Sequence, residues 1–374
     1  MHRILVLGGY GFFGSRICTA LARNPRIQLI IAGRNLDKAT ALAYQVGLRS
    51  ENAEALDAAD PRFADKLRTL EVATLIHTAG PFQDQDYAVA RAAIRAGCNY
   101  LDLADGRAFV NGIGELDGAA RAAGVTIVSG VSSLPALSSA VVDRYREHFS
   151  RLDAIRFGIS SGAVVPGIAT LLAVLGYCGQ PFTVLENGAW TEVRGWLDTQ
   201  LHEFPKPVGS RLLGRCDVPD LDLLPARYAG VKTVAFHAGF ASEAGHRFVE
   251  LLARRVRDGK LKSALPFARP LAKIAKWTES FFSDRGAMFV TMRGFDDTDD
   301  MPLELTWNLV ARENHGPNIP CGPAIALANK IAGGYVPPRG AMPCVGLLSV
   351  EEILEPLKGF SIREMPPVEF QNSH

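Results

Sequence analysis

Residues 3–14 read Arg3-Ile-Leu-Val-Leu-Gly-Gly-Tyr-Gly-Phe-Phe-Gly14, an apolar run that ends in glycines spaced G-x-G-x-x-G. A helical pattern follows directly. Gly11 has no Cβ, so the backbone can approach a phosphate closely, and Gly14 lets the helix pack near the strand. The helix N-terminus directs free N–H groups at an anion. This order predicts a dinucleotide-binding Rossmann turn, and a tight βα turn without a ligand is the alternative. The cofactor-binding residues expected here are Gly9, Tyr10, Gly11, Phe12, Phe13 and Gly14.

The end of the second strand decides between the two nicotinamide cofactors. Ile27–Ala32 is followed by Gly33, Arg34 and Asn35, and Lys38 lies one turn into the next helix. An NAD site usually carries a carboxylate about 20 residues after the glycines, where it holds the ribose 2′-hydroxyl. No carboxylate occupies this turn, and a guanidinium can bind the 2′-phosphate of NADP through a fork of hydrogen bonds. We therefore predict that these four residues bind NADP(H), with Asn35 also capping the helix. A solvated surface arginine is the alternative for Arg34.

The remaining cofactor contacts are expected at the ends of later strands. Asp57 closes the third strand, where its carboxylate can meet the adenine amine or cap the loop. After the fourth strand, Gly80 allows close backbone approach and Pro81 stiffens the loop. We expect Ala79, Gly80, Pro81 and Phe82 beside the cofactor, and core packing is the alternative for Phe82.

Length and composition restrict the class of protein. A chain of 374 residues can hold two domains. The net charge of +1 gives no overall field that attracts nucleic acid. The immediate entry into a strand predicts no signal peptide, and the longest apolar run, 163–178, is too short to span a bilayer. Six scattered cysteines without a C-x-x-C pair fit reduced thiols, so we expect a cytoplasmic protein with no bound metal.

Apolar runs and helical patterns alternate over the first 130 residues, which predicts an α/β fold with a doubly wound parallel sheet of the Rossmann type. Its predicted strands are Ile4–Leu7, Gln28–Ala32, Ala53–Leu56, Ala73–Ile76, Tyr100–Leu103 and Val125–Val128. Later alternating segments joined by turns predict a second α+β domain built on a largely antiparallel sheet. Its predicted strands are Asp153–Ser160, Gly188–Trp196, Val231–Ala241, Ala287–Phe295 and Pro302–Ala311. We expect the NADP-binding domain over 1–135, a substrate and dimerisation domain over 136–316, and a segment 317–345 that packs back onto the first.

One segment of the second domain allows three interpretations. Leu265–Phe282 combines large apolar residues with Arg269, Lys273 and Lys276. Such a segment can rest on a membrane surface, cover the second sheet or form a dimer contact. Because the net charge of +1 gives no supporting field, the sequence favours the sheet-covering helix or the dimer contact over the membrane surface.

Several motifs together resemble the saccharopine dehydrogenase-like (saccharopine reductase-type) oxidoreductases. They are Gly8–Gly14, Ala32–Asn35, Thr78–Phe82, Tyr100–Gly106 and Gly130–Pro135, with the late Gly322–Leu327 and Arg339–Pro343 looking like the family's C-terminal return. The resemblance implies an NADP(H) site in the first domain and a second domain for substrate and dimerisation. It also implies an oxidoreductase acting on a C–N bond between an amine and a carbonyl partner.

The chain departs from this resemblance in one loop. In the reductases that act on saccharopine-like substrates, an aspartate follows Gly-x after the sixth strand. Here Ser132 follows Gly130 and Val131. A hydroxyl cannot replace a carboxylate that moves a proton or anchors an ammonium at neutral pH. Saccharopine itself is therefore not the expected substrate.

Candidate catalytic groups follow the fourth and fifth strands. Arg107 can hold a substrate carboxylate, and Asp105 can orient it or act as the acid–base group. A loop salt bridge is the alternative for this pair, and Asp102 can cap the same turn. His77 can donate a proton near neutral pH or serve as a structural histidine. We also expect Tyr10 on this side of the site.

Candidate substrate-binding residues are Ser132 and Ser133, whose hydroxyls can bond a substrate or their own backbone, and His315, which can instead belong to a turn. The first hypothesis is an NADP-dependent oxidoreductase, a homodimer, that acts on a small polar molecule. A non-catalytic NADP-binding redox sensor or partner subunit is the second. A reductase of a lipid or polyketide, suggested by Leu265–Phe282, is the third.

Overall fold

The computed structural model describes residues 1–83, 85–162, 168–278, 283–298 and 300–371. The strands are β1 (His2–Leu7), β2 (Ile27–Gly33), β3 (Ala53–Ala55), β4 (Thr74–His77), β5 (Asn99–Asp102), β6 (Thr126–Ser129), β7 (Phe149–Ser160), β8 (Pro181–Glu186), β9 (Ala189–Arg194), β10 (Gln200–Phe204), β11 (Gly209–Arg215), β12 (Thr233–Gly239), β13 (Gly286–Asp296), β14 (Pro302–Ala311), β15 (Gly340–Pro343) and β16 (Ile362–Gln371). The α-helices are α1 (Gly14–Leu21), α2 (Leu36–Gln45), α3 (Phe63–Thr69), α4 (Ala88–Ala96), α5 (Arg107–Gly112), α6 (Asp117–Ala122), α7 (Ser138–Tyr145), α8 (Ile168–Gly176), α9 (Asp220–Arg227), α10 (Glu243–Arg257), α11 (Ala268–Thr278), α12 (Gly322–Ala332) and α13 (Val350–Leu354).

The chain divides into two compact units, each assembled from two stretches of sequence. The first unit comprises Met1–Leu137 and Asn318–Leu357, and the second comprises Ser138–Pro317 and Lys358–His374. None of the described helices is both long and apolar enough to cross a membrane. Residues 163–167 of the long apolar run and 279–282 of Leu265–Phe282 lie outside the described residues.

A seven-stranded parallel sheet forms the centre of the first unit, in the order β15-β6-β5-β4-β1-β2-β3. The chain adds β2 and β3 on one side of β1 and then returns to add β4, β5 and β6 on the other side. Strand order therefore reverses between β1 and β4, which is where open α/β sheets bind their ligands. The predicted doubly wound Rossmann sheet is confirmed, and β15 extends it by one strand that the sequence did not indicate.

The apolar strands of this unit are buried because helices cover the sheet. Ile4, Leu5 and Val6 of β1 have no exposed surface. Leu5 and Leu7 belong to a core cluster with residues of α3 and α4, including Leu67 and Ala93. A strand buried on both faces requires continuous apolar residues, which explains the unbroken run at the start of the chain.

The second unit is a mixed sheet in the order β10-β11-β12-β7-β13-β14-β16, with the β8–β9 hairpin attached to β12. Among the strand pairs of the described residues in this unit, only β12 and β7 pair in parallel, so the predicted largely antiparallel sheet is confirmed. The pairing of Phe295 with Pro302 confirms the hairpin between β13 and β14. Strands β8, β10, β11 and β16 were not predicted.

Candidate functional site

Four parallel strands of the first sheet end level with one another, so the loops that follow them emerge at one edge. Leu7 at the end of β1 pairs with Ala32 of β2 on one side and with His77 of β4 on the other. His77 in turn pairs with Asp102, the last residue of β5. The sequence-predicted residues lie at these ends or directly after them: Gly8–Gly14, Gly33–Lys38, Thr78–Phe82 and Asp105–Arg107. This edge of the sheet is the candidate active site.

The glycines in the turn after β1 lie at positions that have no room for a side chain. A Cβ on Gly14 would lie 2.3 Å from the carbonyl oxygen of Gly8, and a Cβ on Gly11 would lie 2.9 Å from the same atom. Gly8 has a φ of +80°, which favours glycine. Within the described chain, the amide groups of Phe12, Phe13 and Gly14 donate no hydrogen bond. Free amides at the start of α1 behind a close-approach turn fit a pyrophosphate.

Tyr10 lies on the β2 side of the turn, which differs from the expected position beside the β4 and β5 loops. A Cβ on Gly33 would lie 2.6 Å from the Tyr10 ring, so glycine is required there. The Tyr10 hydroxyl accepts a hydrogen bond of 3.0 Å from the Asn35 amide. The Asn35 side chain accepts from the Lys38 amide at 2.9 Å, which confirms that Asn35 caps α2. Tyr10 therefore braces the turn that carries Arg34.

Arg34 is exposed just beyond the end of β2. Within the described residues it makes no hydrogen bond or ion pair, and Lys38 is exposed on the first turn of α2. The guanidinium is thus available to an anionic ligand at this end of the site. Asp57 is also exposed, and its Oδ1 accepts a hydrogen bond of 3.0 Å from the Ala59 amide, which matches the loop-capping alternative.

The loop after β4 exposes two of its residues to solvent and buries the ring of Phe82. Ala79 and Pro81 are exposed, whereas Phe82 is 4% exposed and contacts the His77 and Phe109 rings at centroid distances of 5.0 and 5.4 Å. Phe82 therefore packs in the core, as its alternative interpretation stated. Gln85 Nε2 donates to the carbonyl oxygens of Ala79 and Pro81 at 2.9 and 2.7 Å and so holds the loop.

Asp105 is exposed next to this loop. Its Oδ1 accepts a hydrogen bond of 3.0 Å from Gln83 Nε2. Desolvation by surrounding protein groups raises the pKa of the Asp105 carboxyl, although the residue is open to solvent. A carboxyl with a raised pKa beside the predicted cofactor loops is a candidate functional group. Gln83 was not predicted, because no motif marks it in the sequence.

Gln83 and Arg107 lie on either side of Asp105 in the two adjoining loops. Gln83 Oε1 is buried and accepts no hydrogen bond within the described chain. Arg107 begins α5 two residues after Asp105 and is half-buried. A Cβ on Gly106 would lie 3.3 Å from the backbone of Gln83, so the β4 and β5 loops are in close contact.

The surroundings of His77 favour a structural histidine over a proton donor. It is 2% exposed, and its Nδ1 lies 3.0 Å from the Tyr100 hydroxyl. Burial lowers the pKa of His77 to about 4, so the ring is neutral near pH 7 and cannot supply a proton there. His77 is therefore not among the proposed catalytic groups.

Asp102 ties the β5 and β6 loops together. Its Oδ1 accepts hydrogen bonds from the amides of Ala104 and Gly130 at 2.9 and 2.8 Å and from the Ser129 hydroxyl at 2.9 Å. The residue is fully buried, which raises the pKa of its carboxyl to about 6. Asp102 thus caps the turn, as expected, and also positions the start of the β6 loop.

Asp102 should make stability depend on pH. The folded-state pKa of about 6 exceeds the ordinary value of 3.8, so the folded protein holds this proton more tightly. Well below pH 4, Asp102 is protonated in both the folded and the unfolded protein, so it gives the stability no pH dependence there. As the pH rises through 6, its ionisation in the unfolded chain lowers the free energy of unfolding by about 3 kcal/mol. Asp102→Asn cannot ionise and should lack this decrease. Urea unfolding at pH 4, 5, 6 and 7 measures the difference, with Asp37→Asn on the surface of α2 as control. Parallel curves for Asp102→Asn and the wild type would contradict the assignment.

The predicted substrate residues divide between the two units. Ser132 and Ser133 follow β6 at the same sheet edge, and within the described chain neither hydroxyl is hydrogen-bonded. His315 belongs to the second unit, where its Nδ1 accepts from the Ser361 amide at 2.8 Å. Its ring also contacts Phe360, so the turn interpretation accounts for His315. No group of three or more metal-ligating side chains that could hold an ion occurs among the residues with described positions.

Comparison with known proteins agrees with this geometry. Residues 4–128 match the family model described as the saccharopine dehydrogenase NADP binding domain. Over these residues the chain is similar to that NADP-binding domain. The predicted resemblance is confirmed, and the cofactor of this domain is NADP(H). No curated protein sequence is significantly similar to the chain.

Solved structures extend the likeness beyond the NADP-binding domain. Apo saccharopine dehydrogenase (L-Glu forming) from Saccharomyces cerevisiae superposes with a TM-score of 0.67 at 16% identity, over 98% of this chain and 100% of that chain. An amine dehydrogenase from Mycobacterium smegmatis gives a TM-score of 0.47 at 12% identity, over 92% and 94% of the two chains. The WlbA dehydrogenase from Thermus thermophilus gives 0.41 at 12% identity, over 96% and 93%. The likeness to the yeast enzyme is one of fold, and it includes the second unit.

Proposed function

We propose that the protein is an NADP(H)-dependent oxidoreductase that acts on the C–N bond of a small polar amine or imine. The observation that carries this proposal is the position of the Asp105 carboxylate, which accepts a hydrogen bond from Gln83 beside the loop after β4. Free amides at Phe12–Gly14 and the available Arg34 would hold the pyrophosphate and the 2′-phosphate. The bound cofactor supplies or accepts the hydride.

In this proposal, the side chains of the candidate site bind the substrate and transfer a proton to or from it. A carboxyl with a raised pKa exchanges a proton with a substrate nitrogen more readily near neutral pH than an ordinary aspartate does. Gln83 Nε2 orients Asp105 through its hydrogen bond to Oδ1. Arg107 is the proposed anchor of a substrate carboxylate, and the hydroxyls of Ser132 and Ser133 are proposed to complete the polar wall.

The test combines binding with turnover. Calorimetry should show that purified protein binds NADPH more tightly than NADH. A screen of primary and secondary amines with NADP⁺, and of amine–carbonyl pairs with NADPH, should then change the absorbance at 340 nm. Binding without turnover would favour the redox sensor or partner subunit, and turnover of long-chain acyl or polyketide substrates alone would favour the lipid reductase. A protein that binds neither nucleotide would contradict all three hypotheses.

Cellular location and assembly belong to the same proposal. We infer a cytoplasmic homodimer, since NADPH-linked reactions need the reduced cofactor pool and dimers are the commonest oligomers. Light scattering at micromolar concentration measures the assembly. A monomer under those conditions would remove the dimer from the proposal and leave the chemistry untouched.

A further inference from the structure

The segment 259–278 of the second unit concentrates positive charge. It contains Lys260, Lys262, Arg269, Lys273 and Lys276 and no aspartate or glutamate, whereas the whole chain has 40 basic and 39 acidic residues. The preceding helix α10 ends with Arg254, Arg255 and Arg257, of which the first and last pair with Glu250 and Asp258. Segment 259–278 is therefore strongly basic within a nearly neutral chain.

Helix α11 within this segment presents three different faces. Ala268 is 1% exposed and Leu271 and Ala272 are half-buried, and these residues form the face that packs on the protein. A second face is basic and exposed; it comprises Arg269, Lys273 and Lys276. The third face is apolar and exposed; it comprises Pro270, Ile274 and Trp277. Residues three and four positions apart lie on one side of a helix, so each set forms a continuous stripe.

The apolar stripe is unusually open to water. Trp277 is 81% exposed and Ile274 is 57% exposed, while Trp196 and Trp307 are 2% and 0% exposed. Among the described large apolar residues, only the N-terminal Met1 is more exposed than Trp277. Leu265, at the start of the preceding helical turn, adds a side chain that is 42% exposed. Such a patch marks an interaction surface, because leaving large apolar side chains in water is unfavourable.

We propose that α11 binds the surface of an anionic phospholipid membrane. Trp277 and Ile274 enter the boundary between head groups and acyl chains, and the basic stripe beside them contacts the lipid phosphates. Tryptophan favours that boundary, and each lysine or arginine near an anionic surface adds attraction. A second copy of the chain is a poorer occupant, since it would bring two rows of lysine and arginine together.

Membrane binding goes beyond the proposed oxidoreductase function and does not depend on it. The stripes belong to the second unit and involve none of the proposed cofactor or substrate residues. Vesicle binding can therefore be measured without NADPH, and its failure would leave the proposed reaction unaffected.

The experiment is sedimentation of the full-length protein with sucrose-loaded vesicles of phosphatidylcholine alone or with 30% phosphatidylserine. We expect binding only to the anionic vesicles, with a decrease as salt rises from 0.05 to 0.5 M. Lys273→Gln with Lys276→Gln should weaken binding roughly 30-fold, at about fivefold for each charge lost. Ile274→Ser with Trp277→Ser should weaken it by roughly 30-fold as well, because two apolar side chains no longer leave water.

Matched controls separate this surface from others. Arg23→Gln with Arg95→Gln removes two exposed charges from the first unit, and Trp190→Ser removes a tryptophan that is 54% exposed on β9. Both controls should bind like the wild type. In a Trp190→Phe background, Trp277 is the exposed tryptophan, while Trp196 and Trp307 stay buried. On vesicle binding, the tryptophan emission of the protein should shift to the blue and be partly quenched by lipids brominated on their acyl chains.

Three results would overturn the proposal. The first is equal binding to neutral and anionic vesicles. The second is unchanged binding after the paired substitutions in α11. The third is a wild-type dimer that Ile274→Ser with Trp277→Ser converts to a monomer, without vesicle binding by either protein; the stripe would then be an interface between copies.

Discussion

Asp105→Asn should lower kcat by two to four orders of magnitude and leave the Kd for NADPH unchanged. The asparagine amide cannot exchange a proton with a substrate nitrogen, and general acid–base groups contribute about 10²- to 10⁴-fold to turnover. The hydrogen bond from Gln83 can be kept by the asparagine carbonyl oxygen, so the loops should stay in place. Steady-state kinetics with an accepted amine, together with calorimetry of NADPH, measure the two quantities separately.

The pH profile gives an independent check on the role of Asp105. Since desolvation raises the pKa of this carboxyl, kcat/KM of the wild type should change with pH above the ordinary range for aspartate. Asp105→Asn should lack that change. Asp65→Asn, at an exposed position on α3, serves as control and should keep the wild-type profile. Full activity in Asp105→Asn would assign the proton transfer to another group.

Strands that carry their own apolar signal could be predicted from the sequence, whereas strands defined by distant partners could not. The core of β1, Ile4–Leu7, is continuous in sequence and fully covered in the structure. By contrast, β15 has only four residues, Gly340–Pro343, and exists because it pairs with β6. Its partner lies more than 200 positions earlier in the chain, beyond the reach of any local pattern.

The last strand, β16, was not predicted from the sequence because it contains prolines. β16 contains Pro366 and Pro367, which argue against a strand because each lacks an N–H donor. The structure accommodates both at a register shift between Thr306 and Asn308 of β14. An edge strand tolerates proline there because one side needs no ladder partner. The sequence alone does not show which strand will be at an edge.

The residues of the candidate site likewise fall into those that the sequence could predict and those that it could not. Residues whose role follows from backbone geometry, such as Gly14 and the Asn35 cap, could be predicted. The direction of a long side chain could not, and Tyr10 accordingly lies toward β2 instead of β4. Gln83 acquires its role only because the β4 and β5 loops meet in the fold.

Arg34→Glu should reverse the preference of the protein for NADPH over NADH. Arg34 is exposed at the end of β2 and makes no ion pair within the described residues, so the substitution removes no structural contact. It removes charge-assisted hydrogen bonds worth up to about 3 kcal/mol and adds a carboxylate repulsion of about 1 kcal/mol at the 2′-phosphate. The Kd for NADPH should therefore rise roughly a thousandfold. The Kd for NADH should change little, because NADH has no phosphate at that position.

Calorimetry with both nucleotides at 0.1 M salt measures this selectivity directly, and Arg95→Glu provides the matched control. Arg95 is an exposed arginine in the last turn of α4, at the amino edge of the sheet and away from the loops of the candidate site. A general effect of net charge on nucleotide binding would appear in both variants, whereas recognition of the 2′-phosphate would appear only in Arg34→Glu. If Arg34→Glu keeps the wild-type ratio of the two Kd values, another group binds the phosphate. Lys38, one helical turn away, would then be the next residue to substitute, since its ammonium is the other exposed cation on this turn.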